Sequence, residues 1–349
     1  MEGLSYSRTG VDIAGADAVK RRIARLAEST FTPGVLREIG HFGGLFAAPG
    51  EQNPYVLVSS IDSVGTKILI ARLVGHHRSI GIDLVNHCVD DILACGARPL
   101  FFLDYFATDC LAPAVLEELV TGMTEACAAA GCALIGGETA QLPGIYRTGV
   151  YDLAGCIVGV VHRDRIVDGS TIQAGDVLIG LPSSGLHTNG YSLARAALGL
   201  DDDPEVARAR LAEVPSWADR SLGELLLEPH RSYLPLMEPL LDAGVIQGLA
   251  HITGGGLAGN VARIIPPGLQ AQIQAGSWPI PPIFNHIQEH GKIDTREMYR
   301  VFNMGVGYVV VVRSEDVPAV RQRLNEGWVI GSVVPAAEAD DRAVVRGLS

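Results

Sequence analysis

Residues 59–67 read SSIDSVGTK, so Asp62, Gly65, Thr66 and Lys67 crowd together at the end of a β-branched, apolar run. A carboxylate and an ammonium delivered to one place suit a polyphosphate and its cation. Asp62 falls at a strand end, where α/β proteins gather functional groups. Gly65 permits close backbone approach, and Lys67 offers a point charge to an anion. The pattern GxxxxGK[ST] does not occur in the chain, so a Walker A loop is excluded. Taken alone, SVGTK reads equally well as an ordinary polar turn.

The stretch 80–96, IGIDLVNHCVDDILACG, adds Asp83, His87, Asp90 and Asp91 on roughly one face of a helix. Carboxylates gathered this way repel unless a cation joins them, and Mg²⁺ prefers oxygen ligands. A solvated acidic stripe is the competing reading. Leu84, Val85, Cys88, Val89, Ile92 and Leu93 surround the acids, however, and predict a buried helix in which an unpaired carboxylate is costly. His87 reads as a packed or hydrogen-bonded histidine.

LIGGETAQLPG (134–144) ends a strand in Gly136 and Gly137, followed by Glu138 and Thr139. Glycine amides suit phosphate and Glu138 suits Mg²⁺, so this loop is expected in one site with Asp62 and Asp91. SSGLHTNGYSLAR (183–195) carries His187 and Asn189 into a helix start whose amides suit a phosphate. HITGGGLAGN (251–260) contributes Thr253, Gly254, Gly255 and Gly256. It matches GxGxxG, but no acidic residue follows about 20 positions on and no βαβ unit frames it, which excludes a dinucleotide site and leaves an anion loop.

Alternating strands and helices must position these groups. Strands are expected at 55–62, 101–107 and 152–161 and a strand running into a loop at 132–139, with helices at 17–28, 80–96 and from Pro113 to Gly131. In the first of these helices Val19, Ile23, Leu26 and Ala27 share an apolar face. The polar, turn-rich stretch 162–175 reads as a boundary. Beyond it come a strand at 176–183, a helix from 191, an irregular surface excursion at 201–220 and a helix at 232–244 that Pro235 and Pro239 should kink or delimit. Strands at 305–313 and 328–335 flank a last helix.

With 349 residues, two domains are expected; 48% apolar and 19% charged residues permit a large core. A net charge of −12 disfavours nucleic acid as a partner. The N-terminus lacks a signal-peptide pattern and no apolar run reaches ~20 residues, so the expectation is a cytoplasmic protein with no membrane span. The six cysteines show no CxxC spacing and read as reduced thiols, with no zinc expected.

In this order, SYSRTGVDI (5–13), SSIDSVGTK, IGIDLVNHCVDDILACGARPLFFLDYFAT (80–108), GGETAQLPGIY (136–146), YDLAGCIVGVV (151–161), SSGLHTNGYSLAR, HITGGGLAGN and EMYRVFNMGVG (297–307) closely resemble the phosphoribosylformylglycinamidine cyclo-ligase, or aminoimidazole ribonucleotide (AIR) synthetase, family. The resemblance spans nearly the whole chain, and 80–108 with GGETAQLPG is its specific part. It implies an α/β plus α+β fold of a two-domain ATP-binding superfamily without a Walker A loop. The N-terminal ATP- and metal-binding, dimerising domain would occupy 1–168, and an α+β domain 169–349. It further implies a homodimer formed through the N-terminal sheets, and ATP-dependent closure of formylglycinamidine ribonucleotide to AIR through an iminophosphate.

On that resemblance Asp62, Asp91 and Glu138 hold Mg²⁺–ATP, with Asp90 and Asp104 as weaker candidates, and Lys67 meets a phosphate. Gly136, Gly137 and Thr139 line the nucleotide. His187 and Asn189 serve catalysis, and Thr253, Gly254, Gly255 and Gly256 face the substrate phosphate. Ser63 departs from the glycine common after the loop aspartate, and Ala24 and Arg25 stand where relatives often carry a lysine. The first cysteine is Cys88, which argues against a selenophosphate synthetase, and LFFLDYFAT with GGETAQLPG fits a cyclo-ligase better than a thiamine-monophosphate kinase. A silent nucleotide-binding protein is the alternative from another class, opposed by the intact acids and His187.

Overall fold

The computed structural model describes residues 3–50, 52–337 and 341–348. In chain order the first half runs α1 (Ile13–Glu28), β1 (Gly44–Ala47), β2 (Tyr55–Ser63), α2 (Lys67–Val74), α3 (Arg78–Leu93), β3 (Arg98–Thr108), α4 (Pro113–Ala129), β4 (Ala133–Gln141) and β5 (Tyr151–His162). The second half runs β6 (Val177–Pro182), α5 (Tyr191–Ala197), α6 (Pro204–Ala212), α7 (Leu222–Leu226), α8 (Leu234–Ala243), β7 (Ile246–His251), α9 (Gly256–Val261), β8 (Leu269–Gln274), α10 (Pro282–Gly291), α11 (Thr295–Val301), β9 (Val306–Val312), α12 (Val317–Leu324), β10 (Trp328–Pro335) and β11 (Ala343–Arg346).

The strands form two sheets. The first has the order β1-β2-β5-β3-β4, with β3 and β4 parallel and the rest antiparallel. The second has the order β11-β8-β10-β6-β9-β7. Along β5 burial alternates residue by residue, as expected of a strand covered on one face only. The covering element is α3, whose apolar residues are buried on nearly every side. Gly81 on α3 and Gly122 on α4 let these two helices touch, because a Cβ at either would strike the other helix's backbone. On its remaining side α3 meets α8 and β7, so it forms the floor between the two halves.

Three expectations are corrected. The stretch 201–220 is irregular only in part: it contains α6, started by Pro204 and capped by Asp203, whose carboxylate accepts from the amides of Glu205 and Val206, while 213–220 lacks regular structure. GGET is strand, inside β4, and not a loop. α1 forms, but its apolar stripe is not packed: Val19, Ile23 and Leu26 are 53%, 53% and 75% exposed. Pro239 is accommodated within α8 and Pro235 lies in its first turn.

Candidate active site

Asp62 sits near the end of β2 on the face covered by α3. Its carboxylate Oδ2 stands 2.6 Å from Nε2 of His87, in the C-terminal half of α3. Burial alone would raise the Asp62 carboxyl, but His87 and the Ser63 amide outweigh it and hold the carboxyl at about 2. The same pairing overcomes the burial of His87 and lifts its imidazole to about 9. Its other nitrogen lies 2.6 Å from the Thr188 hydroxyl, on the loop between β6 and α5.

Asp91 lies one turn further along α3. One oxygen accepts from the Ser60 hydroxyl at 2.9 Å and the other pairs with Nδ1 of His251 at 2.8 Å. His251 ends β7, immediately before the Thr253–Gly256 loop. Asn260 stitches that loop, its side-chain amide donating to the carbonyls of Thr253 and Gly256 at 3.1 and 2.9 Å. Gly255 and Gly256 both have positive φ, 99° and 65°, a backbone path that side chains disfavour. The loop abuts Asn189, whose Oδ1 would lie 3.3 Å from a Cβ placed on Gly254. Gly255 also lines a cavity of about 650 Å³ with Arg296, Arg300, Arg342 and Arg346.

His187 is buried and takes a left-handed φ of 62°. Its Nε2 accepts from the Ser184 amide at 3.2 Å, and a backbone amide can only donate, so a neutral ring carries its proton on Nδ1. That Nδ1–H has no hydrogen-bond partner. Burial, reinforced by neighbouring histidine and lysine charge, pushes the imidazole well below its ordinary range and keeps it neutral. Asp62, Asp91, His187, Asn189 and the Thr253–Gly256 loop thus converge where the two halves meet.

Other expected residues do not converge there. Lys67 begins α2, and its side chain turns inward to Asp83, with Nζ–O distances of 2.7 and 2.9 Å and both groups fully buried. A third contact, 2.7 Å to the Glu228 carbonyl, completes its donors. A buried ammonium needs a counter-charge, and Asp83 supplies it, so this lysine is not poised for a phosphate. Asp83 and Asp90 are seven residues apart, about 10 Å along the helix axis, too far to share one ion. Asp90 Oδ1 accepts from the Tyr233 amide at 2.9 Å, and burial pushes its carboxyl well up.

Glu138 is the larger correction. Asp62 pairs with Gly155, Gly155 with Asp104, and Asp104 with Gly137, so the side chains of Asp62 and Asp104 share the α3 face. Glu138 pairs with Tyr105 and lies on the opposite face, three strand spacings or ~14 Å away. One chain therefore does not bring Glu138 to the ion that Asp62 and Asp91 would hold. Gly136 and Gly137 are extended residues of an edge strand, and Gly137 makes room for Asp104. Thr139 follows in the same strand, opposite Phe106.

His230 and His251, with Ser60, Thr188 and Asn260, were not singled out from sequence. His251 and Asn260 stand inside the quoted glycine motif, where they were legible. His230, in LLEPHRSY, has no motif to flag it.

Residues 47–161 match the AIR synthase related protein N-terminal domain and residues 173–341 the corresponding C-terminal domain. The phosphoribosylformylglycinamidine cyclo-ligase of Bifidobacterium animalis subsp. lactis is 51% identical over 95% of this chain and 96% of its own. The cyclo-ligase of Pseudothermotoga lettingae is 48% identical over 95% and 98%. The chain belongs to the phosphoribosylformylglycinamidine cyclo-ligase family. Among solved structures, thiamine-monophosphate kinase from Stenotrophomonas maltophilia K279a superimposes with a TM-score of 0.60 at 20% identity, covering 95% of this chain and 96% of that one. Hydrogenase maturation protein HypE in complex with ATP gives 0.60 at 20%, covering 93% and 90%. At that identity the likeness is one of fold, and the two-sheet AIR synthetase architecture is common to all of them.

Proposed function

We infer that this cyclo-ligase-family chain closes formylglycinamidine ribonucleotide to 5-aminoimidazole ribonucleotide, converting ATP to ADP and phosphate. The observation that carries the reading is near-50% identity, end to end, with relatives named for that reaction. A kinase reading has only 20% identity behind it.

A formamide carbonyl is a poor electrophile. Transfer of the γ-phosphoryl to its oxygen makes an iminophosphate, and the amidine nitrogen of the same molecule then attacks the formyl carbon and expels phosphate. The protein's work is positioning and charge neutralisation. The unpartnered Nδ1–H of His187 supports a role as donor to the developing oxyanion or the iminophosphate. Asn189 and the Thr253–Gly256 loop bind the phosphorylated substrate beside it, supported by the contact between the two loops.

Asp62 and Asp91 fit Mg²⁺ as a hard-oxygen pair flanking His87, the Asp62 carboxylate being 40% exposed. When bound, the ion neutralises the ATP phosphates. His87 holds the Asp62 carboxylate in place and Ser60 orients that of Asp91. Glu138, with Gly136, Gly137 and Thr139, serves the nucleotide from the open face of the sheet in a homodimer. Exposed Ile61, Tyr105 and Ile135 on that face support such an assembly. The proposed boundary between the halves is 168/169. No helix of the described residues is long and apolar enough to cross a membrane, and we place the enzyme in the cytoplasm with its small-molecule substrate.

The test is incubation with formylglycinamidine ribonucleotide, ATP and Mg²⁺, with ADP and aminoimidazole both measured. Equal amounts of the two are expected, with turnover reduced ~10²-fold or more by Asp62→Asn. ADP without aminoimidazole would make the protein a kinase relative. Absence of ADP would make it a silent nucleotide binder.

A further inference from the structure

Beneath the nucleotide-side carboxylates lie four buried histidines, 87, 187, 230 and 251, which the reaction does not fully account for. Three atoms among them and their neighbours point at one spot. Nε2 of His230 is 3.1 Å from Nε2 of His251 and 3.4 Å from Oδ2 of Asp90. All three residues are fully buried, and Asp90 Oδ2 has no hydrogen-bond partner. The three ligand atoms lie within 4.8 Å of one another. Around a tetrahedral ion with ~2.0–2.1 Å bonds, ligand atoms stand about 3.3 Å apart, which matches the two measured edges.

We propose that Asp90, His230 and His251 bind one zinc-type divalent ion, a site separate from the Mg²⁺ carboxylates and joining α3 to the C-terminal half. The surroundings fit. Nδ1 of His251 is held by Asp91 at 2.8 Å, the carboxylate–histidine arrangement that fixes a ring's tautomer and directs its other nitrogen to a metal. The other Asp90 oxygen is fixed by the Tyr233 amide, which leaves Oδ2 free to coordinate. Nδ1 of His230 lies 3.4 Å from the Thr188 hydroxyl, and its ring stacks on His187 at 4.0 Å. Two imidazoles and one carboxylate suit zinc, and Mg²⁺ competes poorly for nitrogen. On binding, the ion takes the place of the His230–His251 contact and the protons held by the three ligands are released to solvent, and a fourth position remains for water. The proposal runs against the sequence-based expectation of no zinc, which considered cysteine alone. It does not depend on the reaction assigned above.

The test uses the full chain, stripped with chelator and held in excess Mg²⁺, then titrated with Co²⁺ as a spectroscopic stand-in. One Co²⁺ per chain with intense tetrahedral visible bands is expected. Zn²⁺ should bleach the bands, and the melting temperature should rise with occupancy. His230→Asn should weaken Co²⁺ binding by roughly 100-fold or more. His290→Gln should leave it unchanged; that residue belongs to a histidine pair on α10 where adventitious metal would sit. Only weak octahedral bands, or loss of the signal with His290→Gln and not with His230→Asn, would overturn the proposal. Should His230→Asn not fold, X-ray absorption on the Zn²⁺-loaded wild type decides: two imidazole nitrogens are expected, and an all-oxygen shell would sink the idea.

Discussion

The two faces of the N-terminal sheet differ sharply. On the α3 side, alternate residues of β5 are buried, and Asp62 and Asp91 find partners in His87, Ser60 and His251. On the other side Ile61, Ile135 and Tyr105 are 73%, 60% and 38% exposed, beside Glu138. The first face is finished within one chain, with its charges matched and its apolar surface covered. The second carries apolar residues and a carboxylate that the described residues leave exposed. An identical alternation pattern therefore has two outcomes, decided by whether a helix from the same chain lies over it.

The covered face should be the fragile one. Lys67→Met leaves Asp83 buried without its cation and is expected to cost about 3–5 kcal/mol in denaturant unfolding. Restoring balance with Lys67→Met plus Asp83→Leu should recover much of that loss. A stable Lys67→Met protein with a raised KM for ATP would instead return this lysine to the phosphates and break the contrast.

The open face should tolerate charge as a monomer but not as an assembly. Ile61→Asp is expected to shift sedimentation from dimer to monomer, with unfolding of each chain changed by less than about 0.5 kcal/mol. A dimer that survives both Ile61→Asp and Ile135→Asp would place the interface elsewhere.

A smaller effect sharpens the comparison through pH. His41 lies against Cys95, just beyond α3, at 3.2 Å, and burial, aided by Arg37 and Arg263, lowers its imidazole from 6.5 to about 4. Its folded value lies below its unfolded one, so the unfolded chain binds more protons as pH falls from 6.5 to 4. Stability contributed by neutral His41 is therefore present above 6.5 and lost progressively toward 4. The melting temperature of the wild type should fall over this window by a few degrees more than that of His41→Gln. Parallel curves would show that His41 is solvated and the edge of the covered face is open.

Much of this molecule was determined by local sequence. Apolar alternation in YDLAGCIVGVV makes a strand covered on one face, Pro113 and Gly131 bound a helix, and the acids of 80–96 lie on a helix that its apolar neighbours bury. Asp203-Pro204 likewise carried a helix start inside a charged stretch that composition alone made irregular. The family was legible in the ordered motifs. Tertiary structure alone decided which charges meet. Lys67 and Asp83 are 16 residues apart, Asp91 and His251 are 160 apart, and nothing in either motif names the other as its partner. The face on which Glu138 lies depended on strand order and register, since a shift of one residue moves a side chain across the sheet. His230 gains its meaning only from Asp90 and His251, because burial makes each unmatched polar atom costly and so selects the partner across the fold.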